Sequence, residues 1–320
     1  MAISLSVITT VKNEEASIGP FLAALCRSSA EPADIIVVDS LSTDGTRRVV
    51  EDVLAGNARA QRIRFFSTAC NRARGRNLGV AAATQDVVVA IDAGCIPDHG
   101  CLGAIHAHFM DHPETDVAAG SVRPGPETRF EELTGLLLPQ GPSPSAVAKG
   151  KWLPTSRLIA FRKSAFSAVG GYPEHASHCG EDMRFARRLR EARLRVAFVP
   201  AAVARWRPRS TWAGFFIQYF NYAFGDGADL NLTWKYGLKL GIYGSALVLL
   251  LAGFRGPALW LVLLVLVLTY AALAAMRGWL RRPGLDTVVF MPLVEIVNDV
   301  ADLAGYLTGL TSRWLTGVRR

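Results

Sequence analysis

The sequence has no glycine loop of the P-loop type and no Gly-x-Gly-x-x-Gly after its first strand-like segment. These absences argue against an NTPase and a dinucleotide oxidoreductase. They leave acidic side chains and a metal as the means of holding any nucleotide. Cysteine is scarce: Cys26, Cys70, Cys95, Cys101 and Cys179 are the 5 present, an odd number without paired metal-site spacing. That usage fits free thiols in a reducing compartment. Cys95, His99, Cys101, His106 and His108 crowd together but match no familiar zinc spacing. Met1 to Thr10 lacks a basic start and runs straight into a strand-like segment, so no signal peptide is expected. Charge is missing from two long stretches. Leu240–Phe254 is the first and, extended back past Lys239 to Tyr236, is about long enough to cross a hydrocarbon core of ~30 Å; Gly256–Met276 is the second.

The 320 residues are half apolar, enough for roughly two structural units. Up to about Arg209 charged, turn and apolar residues mix as in a soluble domain; beyond Lys235 they do not. The expected division is residues 1–210 as a catalytic domain, 211–234 as an amphipathic interfacial region and 235–320 as membrane helices. The tight Phe254–Pro257 connection suits two antiparallel spans, and the second is apolar all round, unlike the face-patterned helix of a soluble core. Arg277, Arg281 and Arg282 follow the second span, whereas only Arg255 lies between the two. The positive-inside bias then leaves the N-terminal domain cytoplasmic, as in a multi-pass protein of the inner (plasma) membrane. The net charge of +8 suits an anionic membrane face and phosphorylated substrates. Nucleic acid is not expected, because the arginines are dispersed and no recognition motif accompanies them. Aromatic-rich Thr211–Gly225 predicts a helix in the headgroup region, and Thr287–Leu310, with Glu295, Asn298, Asp299 and Asp302 on one face, an interfacial or re-entrant helix.

The first ninety or so residues alternate regularly. Leu5–Thr9, Ile35–Asp39, Arg64–Phe66 and Val87–Ile91 read as strands; Ser17–Leu25, Thr46–Leu54 and Arg74–Ala83 read as helices. Continuous β-branched runs flanked by helices imply parallel strands buried on both faces. Ligands of such sheets bind beyond the strands' carboxyl ends. The polar residues there are Thr9, Thr10, Lys12, Asn13, Glu14 and Glu15 after the first strand, Asp39 to Thr46 after the second, and Asp92–Cys95 after the fourth. Asp44 is expected to cap the helix at Thr46. A carboxylate emerging from a buried apolar strand, as Asp92 does, is well placed to hold Mg²⁺ or Mn²⁺.

SVITTVKNEE, IIVVDSLSTDGT, ARGRNLGVAAATQDVVVAIDAG, GGYPE and GEDMRFARRLR, in that order, resemble the family 2 glycosyltransferases of GT-A fold. The resemblance covers roughly residues 3–226. It implies an α/β nucleotide-sugar-binding domain with a mostly parallel sheet, followed here by C-terminal membrane helices. It also implies Mg²⁺ or Mn²⁺ at Asp92, a nucleotide-sugar donor, and a membrane-associated glycan or lipid-phosphate acceptor at the bilayer. Donor contacts fall by resemblance on Thr9, Val11, Asn13, Glu14, Asp39, Arg76, Asn77, Asp92, Ala93 and Gly94, and the sugar and acceptor loop on Gly171 and Tyr172. Asp182 is implied as the base of an inverting displacement, with Glu181 beside it on a helix expected over Met183–Arg195. Arg207 or Arg209 would neutralise the leaving diphosphate. Two departures stand out. The family often carries Asp-x-Asp where this chain has Asp92-Ala93-Gly94, and Trp206-Arg207-Pro208-Arg209 stands where processive relatives have Gln-x-x-Arg-Trp. The second departure disfavours a processive polysaccharide synthase; the first is the one feature of a non-catalytic membrane scaffold. The expected function is transfer of a sugar to a membrane-associated acceptor in cell-envelope glycan assembly.

Overall fold

The computed structural model describes residues 3–56, 58–138, 141–148, 152–174 and 180–316. The chain forms two compact units: residues 1–125 with 139–207, and 126–138 with 208–320. Residues 126–138, assigned by sequence to the first domain, therefore belong to the second. The reason is local: Phe130 packs edge-on against Trp212 and Phe290, and Glu132 pairs with Arg282 at 2.5 Å.

The first unit runs β1 (Leu5–Val11), α1 (Glu15–Cys26), β2 (Asp34–Asp39), α2 (Thr46–Gly56), β3 (Ile63–Ser67), α3 (Arg72–Ala82), β4 (Val87–Ile91), β5 (Cys95–Pro97), α4 (Cys101–Asp111) and β6 (Val117–Pro124). After α5 (Arg129–Gly135), which lies in the second unit, it continues with α6 (Pro144–Ala148), β7 (Leu158–Arg162), α7 (Lys163–Ala168), α8 (Glu181–Glu191) and β8 (Val196–Trp206). The sheet order is β3-β2-β1-β4-β7-β6-β8-β5. β3, β2, β1 and β4 are parallel, as their apolar runs predict, and β8 is parallel to β6; β7 and β5 run antiparallel to their neighbours. α1 and α4 cover one face through Ile18, Phe21, Leu22, Ile105 and Phe109, and α3 and α8 contribute Val80 and Phe185 to the core on the other.

Because β2 and β4 flank β1 on opposite sides, the strand order reverses at β1, and the crevice at a reversal is where open α/β sheets bind ligands. Asp92 follows β4 at that crevice. α3 sits close against β1: a Cβ at Gly75 would come within 2.3 Å of Thr10, which brings Arg76 to the same rim. α8 begins at Glu181 and ends at Glu191, earlier at both ends than expected. Arg193 turns left-handed (φ 55°) and Leu194 N–H donates back to Leu189 O at 3.1 Å, closing the helix before the arginine-rich run is exhausted.

The second unit holds α5 with α9 (Trp212–Asp229), α10 (Thr233–Ala252), α11 (Ala258–Arg281) and α12 (Leu285–Thr316). α10 and α11 are long and apolar enough to cross a membrane, and only 6% of each apolar window is buried within the protein. A soluble core helix would be mostly covered. α12 is one unbroken 32-residue helix. Its acids face partners: Lys239 reaches Asp299 at 2.6 Å and Asp302 at 2.5 Å, Lys235 reaches Asp302 at 2.8 Å, and the Tyr243 and Tyr270 hydroxyls donate to Asp299.

α9 and α12 meet backbone to backbone. A Cβ at Gly227, Gly305 or Gly309 would lie 2.2, 2.2 or 2.1 Å from the carbonyl oxygens of Tyr306, Phe220 and Phe224 respectively. This is the close approach that small residues permit between helices. Gly309→Leu is therefore expected to destabilise this unit by about 1–3 kcal/mol or more, read as a lower Tm of the purified protein in detergent. Gly241→Ala, where nothing lies within 4 Å, is expected to leave Tm unchanged or raise it slightly. Equal effects of the two would contradict the packing.

Candidate active site

The rim is built from the loops after β1, β2 and β4. The first two are fastened together. Asn13 N–H donates to Ser42 Oγ at 2.8 Å, Thr43 N–H to Asn13 Oδ1 at 2.8 Å, and Glu14 N–H to Thr46 Oγ1 at 2.8 Å. Asn13 does this from a left-handed conformation (φ 57°), which asparagine adopts readily. Asp44 receives Thr46 N–H at 3.0 Å, the capping role expected of it. Asp39, only 2% exposed, accepts from Ser42 Oγ (2.6 Å), Ser42 N–H (3.1 Å) and Ser67 Oγ (2.8 Å). Its carboxylate thus braces the loop from beneath. Val11 and Ala93 are core side chains, and the Val11 carbonyl is taken by Ser40 N–H. The Thr9 and Thr10 hydroxyl oxygens are buried with no hydrogen-bond partner among the described residues.

Beside this brace runs a chain of charges from three elements. Arg76 donates to Glu181 Oε1 at 3.0 Å and to Asp92 Oδ1 at 2.7 Å, and Arg72 donates to the same Glu181 oxygen at 3.1 Å. The Arg76 and Glu181 side chains are 4% and 7% exposed, whereas Asp92 keeps 37% of its side-chain surface open. Asp92 is therefore the carboxylate of the chain that stays open, and Arg72, at 58%, is its other exposed member. The Tyr172 ring lies 5.1 Å below the Arg76 guanidinium, stacks on Phe185 and donates its hydroxyl to Ser156. It is a buried support. Asn77 grips the same loop from α3, accepting from Tyr172 N–H and donating to Tyr172 O, both at 2.9 Å. Gly171 takes φ +68°, and a Cβ there would press within 3.0 Å of Asn77 Oδ1.

Asp182 follows Glu181 at the start of α8, where Met183 N–H donates to its Oδ1 at 2.8 Å and Thr155 Oγ1 stands 3.5 Å from Oδ2. The neighbouring carboxylates are driven apart in acidity. Burial, and then repulsion from Glu181, push Asp182 up. Burial also works against the charge on Glu181 and on Asp92, but Arg76 and Arg72 overcome it and hold both below the ordinary carboxylate range. Carboxyls split in this way serve different roles: one stays charged as an electrostatic anchor, the other takes up a proton.

Among the described residues no three His, Cys, Asp or Glu side chains are grouped to hold a metal. His106 contacts Ile3 O and His108 contacts Thr115 Oγ1, and burial pushes the Cys101 thiol up to about 12. At the rim Asp92 is a single hard-oxygen donor. One carboxylate with substrate phosphates and water is a donor set that Mg²⁺ accepts, so Asp92 fits such an ion while leaving most of its coordination to the substrate. Arg207 closes the first unit, exposed; Arg209 lies in the second, where it donates to Gln218 Oε1 at 3.3 Å.

Three residues at the rim were not anticipated from sequence: Arg72, Thr155 and Arg157. Asn71 gave the signal for Arg72, since its side chain accepts Arg74 N–H at 2.8 Å and so starts α3 two residues earlier than expected. Arg157 lies with its Cζ 4.6 Å from the centre of the Trp206 ring, and its carbonyl receives Asp92 N–H at 3.4 Å. Nothing local in the sequence marks it.

The α/β sheet, reversing at β1 with acids gathered at the switch point, is of the GT-A type. The profile of glycosyl transferase family 2 matches residues 6–170, and the chain belongs to that family. It is 30% identical over 234 residues to the succinoglycan biosynthesis protein ExoA of Rhizobium meliloti, covering 69% of this chain and 68% of that one. It is 27% identical over 210 residues to the O-antigen chain rhamnosyltransferase WbaN of Salmonella anatum, covering 62% and 64%. In structure it is similar to the mannosyltransferase PcManGT from Pyrobaculum calidifontis, solved with GDP-Man and Mn²⁺, with a TM-score of 0.63 at 20% identity over 93% of this chain and 86% of that one.

Proposed function

We propose that this glycosyltransferase moves a sugar, with inversion, from a nucleoside diphosphate donor to a membrane-associated acceptor in cell-envelope glycan assembly. The observation that carries the reading is that Arg76 joins the accessible Asp92 to Glu181, the neighbour of Asp182, so that these acids share one rim; Arg76 and Arg72 lower Asp92, whereas burial and Glu181 raise Asp182. Asp182 takes the proton of the acceptor hydroxyl as its oxygen attacks the anomeric carbon. The bond from that carbon to the diphosphate oxygen breaks, and the nucleoside diphosphate leaves with the electron pair. One displacement inverts the centre and needs a single base, unlike the nucleophile and acid pair of a retaining hydrolase. Mg²⁺ or Mn²⁺ bound by Asp92 and the donor phosphates would supply charge neutralisation for the leaving group. Arg76 and Arg72 keep Asp92 charged and Glu181 satisfied, so that neither competes for the acceptor's proton. The Mn²⁺ and nucleotide sugar of PcManGT and the polysaccharide roles named for ExoA and WbaN support the donor and acceptor classes.

The exposed apolar surfaces of α10 and α11 support a bilayer anchor, and Arg277, Arg281 and Arg282 at the end of α11 favour a cytoplasmic catalytic domain in the inner membrane. The test is nucleotide release by purified protein in lipid, with Mg²⁺ or Mn²⁺, from a panel of UDP-, GDP- and dTDP-sugars in the presence of a lipid-phosphate or membrane-extract acceptor. Acceptor-dependent release from one donor is expected. Failure to bind or release any of the three nucleotides would overturn the reading.

A further inference from the structure

Within the second unit the end of α11, the turn after α5 and the first half of α12 surround a cavity of about 480 Å³, lined by Leu136, Leu280 and Met291 together with Arg277, Arg281 and Glu295. Its walls are fixed by the protein's own contacts. Gly278 lets α11 approach α12 closely, since a Cβ there would lie 2.3 Å from Met291 Cγ. The end of α5 is fastened to the same corner: Arg281 donates to the Leu136 carbonyl, and Arg282 pairs with Glu132 at 2.5 Å. Arg277 and Arg281 stand four residues apart, on one face of α11. Arg277 lies 3.6 Å from Glu295, which is 13% exposed, and keeps 68% of its own side-chain surface open. The cavity therefore sets two cations against one carboxylate, among apolar side chains.

We propose that this cavity binds an anionic membrane phospholipid, with Arg277 and Arg281 on its phosphate and its chains against Leu136, Leu280 and Met291; this rests on the bilayer reading of α10 and α11 above. On that reading both arginines stand at the cytoplasmic headgroup level, where the phosphates of anionic lipids lie. A guanidinium presents several N–H donors to a phosphate, and two of them on one helix face can share one phosphate group. The apolar walls separate a lipid from a free phosphate ester. Leu280, 77% exposed, carries the apolar surface of α11 past Arg277 to the cavity, so acyl chains lying along the span continue into it. A soluble ester would leave those walls uncovered. Arg282 takes no part, because Glu132, Asp286 and Thr287 engage it.

The test is native mass spectrometry of the full chain in neutral detergent, titrated with dioctanoyl phosphatidylglycerol, dioctanoyl phosphatidylcholine or glycerol 1-phosphate. Phosphatidylglycerol should bind at least about tenfold more tightly than phosphatidylcholine, which has the chains without the net charge, or glycerol 1-phosphate, which has the phosphate without the chains. Arg277→Gln, which leaves the Arg281 bond to Leu136 intact, should weaken phosphatidylglycerol binding about tenfold, and Leu280→Asp, at an exposed position, by as much. Arg255→Gln removes a cation from the loop between the spans and should bind as the parent does. Equal binding of the two phospholipids, or equal weakening by Arg255→Gln and Arg277→Gln, would overturn the assignment. Displacement of phosphatidylglycerol by an equimolar polyprenyl phosphate would give the cavity to the acceptor and overturn it also. A chain that stays monodisperse without detergent would overturn the bilayer reading itself, whereas a detergent-dependent chain that holds no phosphatidylglycerol overturns this site alone.

Discussion

Asp182→Asn is expected to bind nucleoside diphosphate as the parent protein does and to lose about 10²–10⁴-fold in kcat, the usual contribution of a positioned base. The amide keeps the shape of the side chain and can still accept Met183 N–H, so the loss isolates proton transfer from folding. A loss of under about tenfold would remove Asp182 from the mechanism. The pH profile supplies a second check. A base works only when ionised, so activity is full above its pKa and falls as pH drops through it. Because burial and Glu181 raise Asp182 above the ordinary aspartate value of 3.8, the acid limb of kcat/KM should lie above that value. Asp92 and Glu181 are shifted the other way and remain charged across that limb. A limb at or below the ordinary value would mean that another group is the base.

The parallel half of the sheet was legible because β1, β2 and β4 are buried on both faces, and such strands need uninterrupted apolar, mostly β-branched residues. Beyond β4 that signal fades. β5 has three residues and β8 is only partly covered, so their antiparallel pairing depends on distant chain and not on local pattern. The same distinction governs the site. Acids after buried strands or opening a helix are conspicuous, and Asp92, Glu181 and Asp182 stand together at the rim. Arginines are common enough in this chain that sequence cannot say which of them face inward. Arg76 is buried and Arg157 rests on Trp206 through contacts made by residues far apart in the chain. Asp39 is another conspicuous strand-end acid, and its oxygens are engaged by Ser42 and Ser67. Residues 126–138 moved to the other unit because side-chain partners, not composition, decide membership.

Arg76→Ala should destabilise the first unit by about 3–5 kcal/mol, because it removes one partner from a buried charged set. Glu181, at 7% side-chain exposure, would keep only Arg72, whose side chain is 58% exposed, and Asp92 would lose its 2.7 Å partner. Thermal unfolding of the purified protein measures the effect. Arg76→Lys should recover only part of it, since one ammonium does not reproduce the fork that reaches both carboxylates. The sign of the pH dependence follows from Glu181 and Asp92, both depressed in the folded protein. Their contribution is present above the unfolded carboxylate pKa and is lost as pH falls through the folded one. The gap in Tm between parent and Arg76→Ala should therefore be widest near neutral pH and narrow on acidification. Pairing the arginine loss with Glu181→Gln should restore part of the stability relative to Arg76→Ala alone, because the buried Glu181 charge is then removed, although Asp92 still lacks its partner. Strict additivity of the two changes would mean that Arg76 stabilises the unit by packing on Tyr172 and not by holding the acids.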